Sequence, residues 1–328
     1  MQIYIVKSQA DNQCSKLSMH LSTSHPMHSI KIIEPDESMT GPAWVLCDYT
    51  RSIGQFKLPE QPDANGPTCF VDYELNSPVG KKKFITLKEQ NAESEYSAIS
   101  VGKLGTLSAD HHDGLAPIGL YFIAGGLKLS MQQLLQSESW SIILSPNYPE
   151  HQQLTPALFL DRDGVINEDT EYLIDPKDLR LRPGIEELIA YCNQKKWPVI
   201  CLTNQSGVAR GKFSEEQVHS LHLEIDHRLR ELGAKIDLYQ LSPFHFRKGI
   251  GDYRKYSVLR KPYPGMLLLA CRQFAINLDH SWMIGDKDSD ILHFSPVKTF
   301  LLPGAYPLSN QLGQVINNFR EVLNFIRI

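Results

Sequence analysis

Asp161 and Asp163 stand two residues apart in Leu160-Asp161-Arg162-Asp163-Gly164, just after the apolar run Ala157 to Leu160. An extended chain alternates its side chains, so both carboxylates project to one side, and Gly164 lets the backbone turn away at once. A short apolar run that ends in polar groups reads as a buried central strand, and open α/β sheets bind ligands at that end. Two carboxylates facing one point suit phosphoryl transfer: one attacks phosphorus to form an aspartyl phosphate, and the other gives a proton to the leaving oxygen. Like charges meeting a phosphate also call for a hard divalent cation such as Mg2+ between them. Taken alone, Asp-x-Asp-Gly is equally a surface turn; the rest of a calcium-loop pattern does not follow it.

Three further polar segments follow in order. The apolar stretch Trp197 to Leu202 ends in Thr203-Asn204-Gln205-Ser206-Gly207, where the Thr203 hydroxyl and Asn204 amide could donate to phosphate oxygens and the Gly207 to Gly211 loop brings backbone N–H groups close. Lys261, in Arg260-Lys261-Pro262, precedes the helix-like stretch Gly265 to Phe274 and offers a cation to a phosphate and to the charge that builds in a transition state. Ser281 to Ile284 is another strand, running into Gly285-Asp286-Lys287-Asp288-Ser289-Asp290, which adds carboxylates for a metal. Each piece alone reads as a capped turn or a solvated loop. Together they occur in the order one reaction needs.

The elements between them are legible. Pro183 to Ile189 opens a helix, Ser214-Glu215-Glu216-Gln217 fits a capping box for a helix that runs to about Leu232 before Gly233, and Lys235 to Leu241 reads as a third strand. Pro146 to Gln153 reads as an exposed connector, which divides the chain into residues 1–153 and 154–328. The first part holds short strand-like pieces: Ile3 to Val6, Ile30 to Ile33, Trp44 to Cys47, Thr68 to Val71, Phe84 to Leu87 and Gly119 to Ala124. Leu127 to Leu135 then has helical spacing, so this part reads as a strand-rich α/β domain of uncertain fold. Its Asp110-His111-His112-Asp113 cluster could bind a metal but reads as a solvated loop, because adjacent side chains point apart and no second ligand motif accompanies it.

The composition of the 328 residues is that of an ordinary two-domain globular chain, 42% hydrophobic and 21% charged. A formal net charge of −4 gives no electrostatic reason to bind nucleic acid or an anionic membrane, which leaves small molecules as the expected partners. Six cysteines without paired spacing fit a reducing cytoplasm; Met1 to Val6 reads as a strand rather than a signal peptide, and no run is long enough to span a bilayer.

The ordered set Asp161-x-Asp163-Gly164, Thr203-Asn204, Lys261 and Gly285-Asp286-x-x-x-Asp290 resembles the four motifs of the haloacid dehalogenase superfamily of phosphatases. Leu160 to Asn167, Thr203 to Phe213 and Arg260 to Met266 are similar to the D-glycero-D-manno-heptose 1,7-bisphosphate 7-phosphatases and, next to them, the histidinol phosphatases. The resemblance covers about residues 155 to 305 and implies a doubly wound, mostly parallel sheet with loop-sized caps. It makes Asp161 the nucleophile and Asp163 the acid, then the base. It implies Mg2+ held by Asp161, the Asp163 main-chain oxygen and Asp286, with Asp290 orienting that site. Thr203 and Lys261 would bind the transferring phosphate, with Asn204, Arg260 and Lys287 nearby. The implied substrate is a small sugar phosphate, a heptose 1,7-bisphosphate losing its 7-phosphate ahead of histidinol phosphate. The first half faintly resembles the later part of a sugar-phosphate nucleotidyltransferase without its glycine-rich loop, which leaves open a bifunctional protein whose first half binds nucleotide or a partner. One departure stands out. Where members of the family carry a Cys-x-His and Cys-x-Cys zinc loop, this chain has Ser242, Phe244, Ser257 and Leu259, so a zinc-free loop is expected, either ordered by packing of Phe244, Phe246, Tyr253 and Tyr256 or mobile.

Overall fold

A computed structural model describes ten strands of the first half, Pro146, and residues 153–327 except 171, 305 and 309–312. The chain folds into two compact units, Met1–Leu107 with Gly114–Ser145, and Ser108–Asp113 with Pro146–Ile328.

The strands of the first unit are β1 (Gln2–Val6), β2 (Ser29–Ile33), β3 (Ser38–Thr40), β4 (Ala43–Leu46) and β5 (Thr68–Leu75). They continue as β6 (Phe84–Glu89), β7 (Ile99–Gly105), β8 (Asp113–Ile123), β9 (Lys128–Ser130) and β10 (Ser141–Leu144). Six of them form a mixed sheet in the order β10-β5-β8-β4-β1-β2, in which β1 runs parallel to β2 and β4 while β8 is antiparallel to β4. The helical spacing of Leu127 to Leu135 is not realised at its start: Lys128–Ser130 pairs antiparallel with Ser38–Thr40, Leu129 opposite Met39. So short an apolar run carries no period long enough to separate helix from strand. Residues 131–135 and 110–112 lie outside the described residues.

The second unit is built on β11 (Leu158–Leu160), whose three residues are all buried. β12 (Val199–Asn204) and β14 (Trp282–Gly285) flank it, and the sheet extends as β13-β12-β11-β14-β15-β16, with β13 at Leu238–Ser242, β15 at Lys298–Leu301 and β16 at Gln314–Val315. All five pairings are parallel. β11 and β12 read as unbroken apolar runs because helices cover both faces of such a sheet. Leu160 lies opposite Cys201 on one side and Ile284 on the other, so the chain segments leaving β11, β12 and β14 emerge together. The winding reverses at β11, which makes this edge the topological switch point of the doubly wound sheet.

The helices follow from local signals. α1 (Ile185–Gln194) buries Ile185, Leu188, Ile189 and Cys192, a stripe at helical spacing, and shares its core with α5 (Phe319–Ile326), where Asn318 caps the Arg320 and Glu321 N–H groups. α2 (Ser206–Ala209) is a single turn after β12. α3 (Glu215–Glu231) starts with the full Ser214–Gln217 capping box, and Gly233 takes φ +75 just past its end. α4 (Gly265–Cys271) stops short of Phe274 because Arg272 and Gln273 donate to the carbonyls of Leu269 and Ala270, tightening the last turn. Among the described residues no helix is long and apolar enough to cross a membrane.

Candidate active site

β11 delivers Asp161 with its backbone still in the ladder, since the Asp161 N–H donates to the Ile284 carbonyl at 2.9 Å. The chain then wraps on itself: the N–H groups of Val165, Ile166 and Asn167 all point to the Arg162 carbonyl, and Gly164 takes φ +87. A Cβ on Gly164 would fall 2.3 Å from Asp286 Oδ2, so this position needs glycine both for its backbone and for the approach of the Asp286 carboxylate.

Lys261 lies at the centre. Its ammonium is 2.8 Å from Asp161 Oδ1 and 2.6 Å from Asp290 Oδ1, with a side chain only 1% exposed. Burial alone would lower its pKa, but the Asp161 and Asp290 carboxylates outweigh that and hold it above the ordinary lysine value, so the cation persists. Burial, with the Asp161 charge behind it, raises Asp290 against the pull of Lys261. Asn204 fixes the Lys261 backbone, accepting from its N–H at 2.9 Å and donating to its carbonyl at 3.0 Å. The Asn204 amide therefore braces the backbone of Lys261.

Asp286 is buried, and neither of its carboxylate oxygens has a hydrogen-bond partner. Burial first, then the Asp161 charge, pushes it up to about 7. Oxygens of Asp161, Asp286 and Asp290 lie within 4.8 Å of one another. Three buried carboxylates, one of them with both oxygens unsatisfied, are the donor set that a hard, oxygen-seeking divalent cation fits. Lys287 stands at the rim, 3.5 Å from Asp286 and from Asp169, with its ammonium 4.4 Å from the centre of the Tyr306 ring.

The Asp163 carboxylate is held away from that trio. Arg162 donates to both its oxygens, Nε to Oδ1 at 3.0 Å and Nη2 to Oδ2 at 2.8 Å, Asn167 Nδ2 adds a bond to Oδ1 at 3.1 Å, and Gln205 Nε2 one to Oδ2 at 2.9 Å. Burial pushes Asp163 up, yet the Arg162 guanidinium and the three donors pull it down to about 2. The same Gln205 nitrogen donates to Thr203 Oγ1 at 2.8 Å. Arg162, Asn167 and Gln205 carry no role in the motifs read from the sequence; only Gln205 leaves a signal, standing two residues after Thr203 as Asp163 does after Asp161.

Ring contacts run through the 244–259 loop. Phe246 stacks on Tyr256 at 4.4 Å, Phe244 meets Tyr253 at 6.3 Å, and the buried His245 accepts the Arg247 and Lys248 N–H groups on Nδ1. Arg260 donates to the Phe244 carbonyl at 3.4 Å, and Ser257 Oγ accepts from the Leu259 N–H. Ser242, the other position aligned with the zinc loop, ends β13 with its side chain buried.

Residues 258–293, which contain Lys261, Asp286 and Asp290, match the HAD-hydrolase-like family. The D-glycero-beta-D-manno-heptose-1,7-bisphosphate 7-phosphatase of Vibrio cholerae is 42% identical over 137 residues, which are 42% of this chain and 74% of that protein. The chain belongs to the haloacid dehalogenase superfamily of phosphatases. The D-glycero-alpha-D-manno-heptose-1,7-bisphosphate 7-phosphatase of Burkholderia mallei is 38% identical over 175 residues, 52% of this chain and 93% of that protein. The crystal structure of D,D-heptose 1,7-bisphosphate phosphatase from B. bronchiseptica, complexed with magnesium and phosphate, aligns at 25% identity with a TM-score of 0.45, over 53% of this chain and 98% of that one. As a haloacid dehalogenase phosphatase, this chain is a phosphoric monoester hydrolase.

Proposed function

We propose that the unit from residue 154 onward removes the 7-phosphate from D-glycero-D-manno-heptose 1,7-bisphosphate by phosphoryl transfer to Asp161. The observation that carries this reading is the buried Lys261 ammonium 2.8 Å from Asp161, beside an Asp286 whose two oxygens have no hydrogen-bond partner. The substrate follows the names of the curated relatives, which include both anomers of the heptose bisphosphate.

In this reading Asp161 attacks phosphorus and the P–O bond to the sugar breaks. Lys261, kept charged by Asp161 and Asp290, holds the nucleophile in place and offsets charge on the phosphoryl oxygens. Thr203 Oγ1 accepts from Gln205, which leaves the hydroxyl hydrogen free to be donated to a phosphate oxygen. Asp163 gives the leaving oxygen its proton; water then attacks the aspartyl phosphate and returns a proton to Asp163. With its pKa drawn down to about 2, Asp163 rests as the base of the second step. The proton for the first step enters with the monoanion of the phosphate ester, whose second ionisation lies near pH 6, at about that value. Mg2+ held by Asp161, Asp286 and the Asp163 main-chain oxygen would offset the repulsion between carboxylates and phosphate.

A reducing compartment suits this chain. Its described cysteines Cys192, Cys201 and Cys271 are buried, and burial alone pushes Cys192 up to about 12, which keeps it an inert thiol. The deciding measurement is kcat/KM on heptose 1,7-bisphosphate against histidinol phosphate. A preference for the heptose is expected; an equal or higher value on histidinol phosphate overturns the substrate.

A further inference from the structure

Two of the groups assigned above touch one nitrogen. Gln205 Nε2 lies 2.8 Å from Thr203 Oγ1 and 2.9 Å from Asp163 Oδ2, so the hydroxyl that meets the phosphate and the carboxylate that meets the leaving group share a single amide. The orientation of that amide is forced. Turning it over would set Oε1 against a carboxylate oxygen that can only accept, so the NH2 group faces both partners and each of its hydrogens is committed. The bridge is also rigid at its root: the Gln205 N–H donates to the Ser242 carbonyl of β13 at 2.9 Å, and the side chain is 3% exposed. Arg162 also grips Asp163 through two bonds, one to the same Oδ2, and is itself 1% exposed.

We propose that Gln205 is a positioning residue that aligns the acid–base carboxylate Asp163 with a phosphate bound at Thr203. Donation to Thr203 turns the hydroxyl hydrogen outward, and the second hydrogen pins Asp163 Oδ2 on the same side as that phosphate. Arg162 fixes the carboxylate plane and Gln205 fixes its register relative to the phosphate. The proton passed from Asp163 to the sugar oxygen, as the P–O bond breaks toward Asp161, then travels along a set path.

The role of Gln205 rests on the acid role of Asp163, and the test separates the two. kcat/KM reports events up to the loss of the leaving group, so it is compared for an alkyl phosphate, which needs a proton on departure, and for p-nitrophenyl phosphate, which does not. For Gln205→Met the expected loss is about 30-fold on the alkyl substrate and within about threefold on the aryl one, a fraction of the 10²- to 10⁴-fold that general acid catalysis supplies. Gln205→Glu, nearly the same shape but with its carboxylate against Asp163 Oδ2 and accepting from the Thr203 hydroxyl, should lose more on the alkyl substrate than on the aryl one, on top of a smaller loss common to both, and covers the case in which the Met variant does not fold. Asp163→Asn should be selective in the same sense, and adding Gln205→Met to it should cost little more. Equal losses on both substrates, or none, for the Gln205 variants while Asp163→Asn stays selective overturn the role of Gln205 alone. A non-selective Asp163→Asn overturns the acid role, and the role of Gln205 falls with it.

Discussion

At the scale of single residues, the site is a contest between charges that burial makes expensive. Lys261 answers Asp161 and Asp290, Arg162 answers Asp163, and Asp286 is the carboxylate left without a hydrogen-bond partner. Two predictions come from that imbalance. Asp161→Asn should abolish turnover while leaving a folded protein, because an amide cannot form the acyl phosphate; near-normal Mg2+-dependent turnover by the purified variant contradicts the mechanism. Asp286, raised to about 7, should make cation binding pH-dependent. Below pH 7 a proton competes for the same oxygens, so Mg2+ activation should tighten as pH rises through 7 and level off above it. A Mg2+ half-saturation concentration that stays flat between pH 6 and 8 contradicts that assignment. The residues legible in the sequence were those whose chemistry is carried by type and spacing, such as Asp161, Lys261 and Asp286. Arg162 and Asn167 were not, because their parts arise only where a turn folds two chain segments onto one carboxylate.

At the scale of elements, α3 carries an oddity. His222 is buried and stacked on Tyr239 at 4.2 Å, and neither of its ring nitrogens has a partner. Burial, then the charges of Arg162 and His219, lowers its pKa from 6.5 to about 3, with Asp163 opposing. Between those values the unfolded chain binds a proton that the folded one refuses, so stability is fully present above pH 6.5 and falls as pH drops toward 3. His222→Phe keeps the stacked ring and removes this component. It should be at least as stable as the wild type at pH 7 and lose less between pH 7 and 5 in urea unfolding; an equal loss contradicts the account. The loop of Phe244, Phe246, Tyr253 and Tyr256 leads to another expectation. Elemental analysis of Mg2+-reloaded protein should find well under one zinc per chain, and a stoichiometric zinc lost together with thermal stability on chelation contradicts it. Element types were legible wherever the apolar run was long or capped, as in β12 and α3. β16, two exposed residues at the sheet edge, has no pattern to read, and β13, mostly half-buried, is blurred at its start, where Lys235 bonds Asn193 instead of entering the ladder.

At the scale of the whole molecule, the second unit was readable because its chemistry and its burial point to one edge of one sheet. The first was not, since its mixed sheet brings together strands whose sequence runs are short and whose polar groups share no single chemistry. The strand order of the second unit also reaches into time. Leu158 pairs with Val199 on one side and with Trp282 on the other, so the central strand is seated only after a long stretch of chain has closed back upon it. Parallel pairings between distant segments are slow, and the entropy of closing such loops is lost before the contacts compensate. During refolding from urea, helical circular dichroism should therefore return ahead of hydrolysis, and a simultaneous return contradicts this order. A half-assembled sheet still has its four aspartates, but scattered, with no lysine between them. Newly made chains should then be silent as catalysts until β14 has paired with β11, which would make hydrolysis a clock for the closing of the sheet.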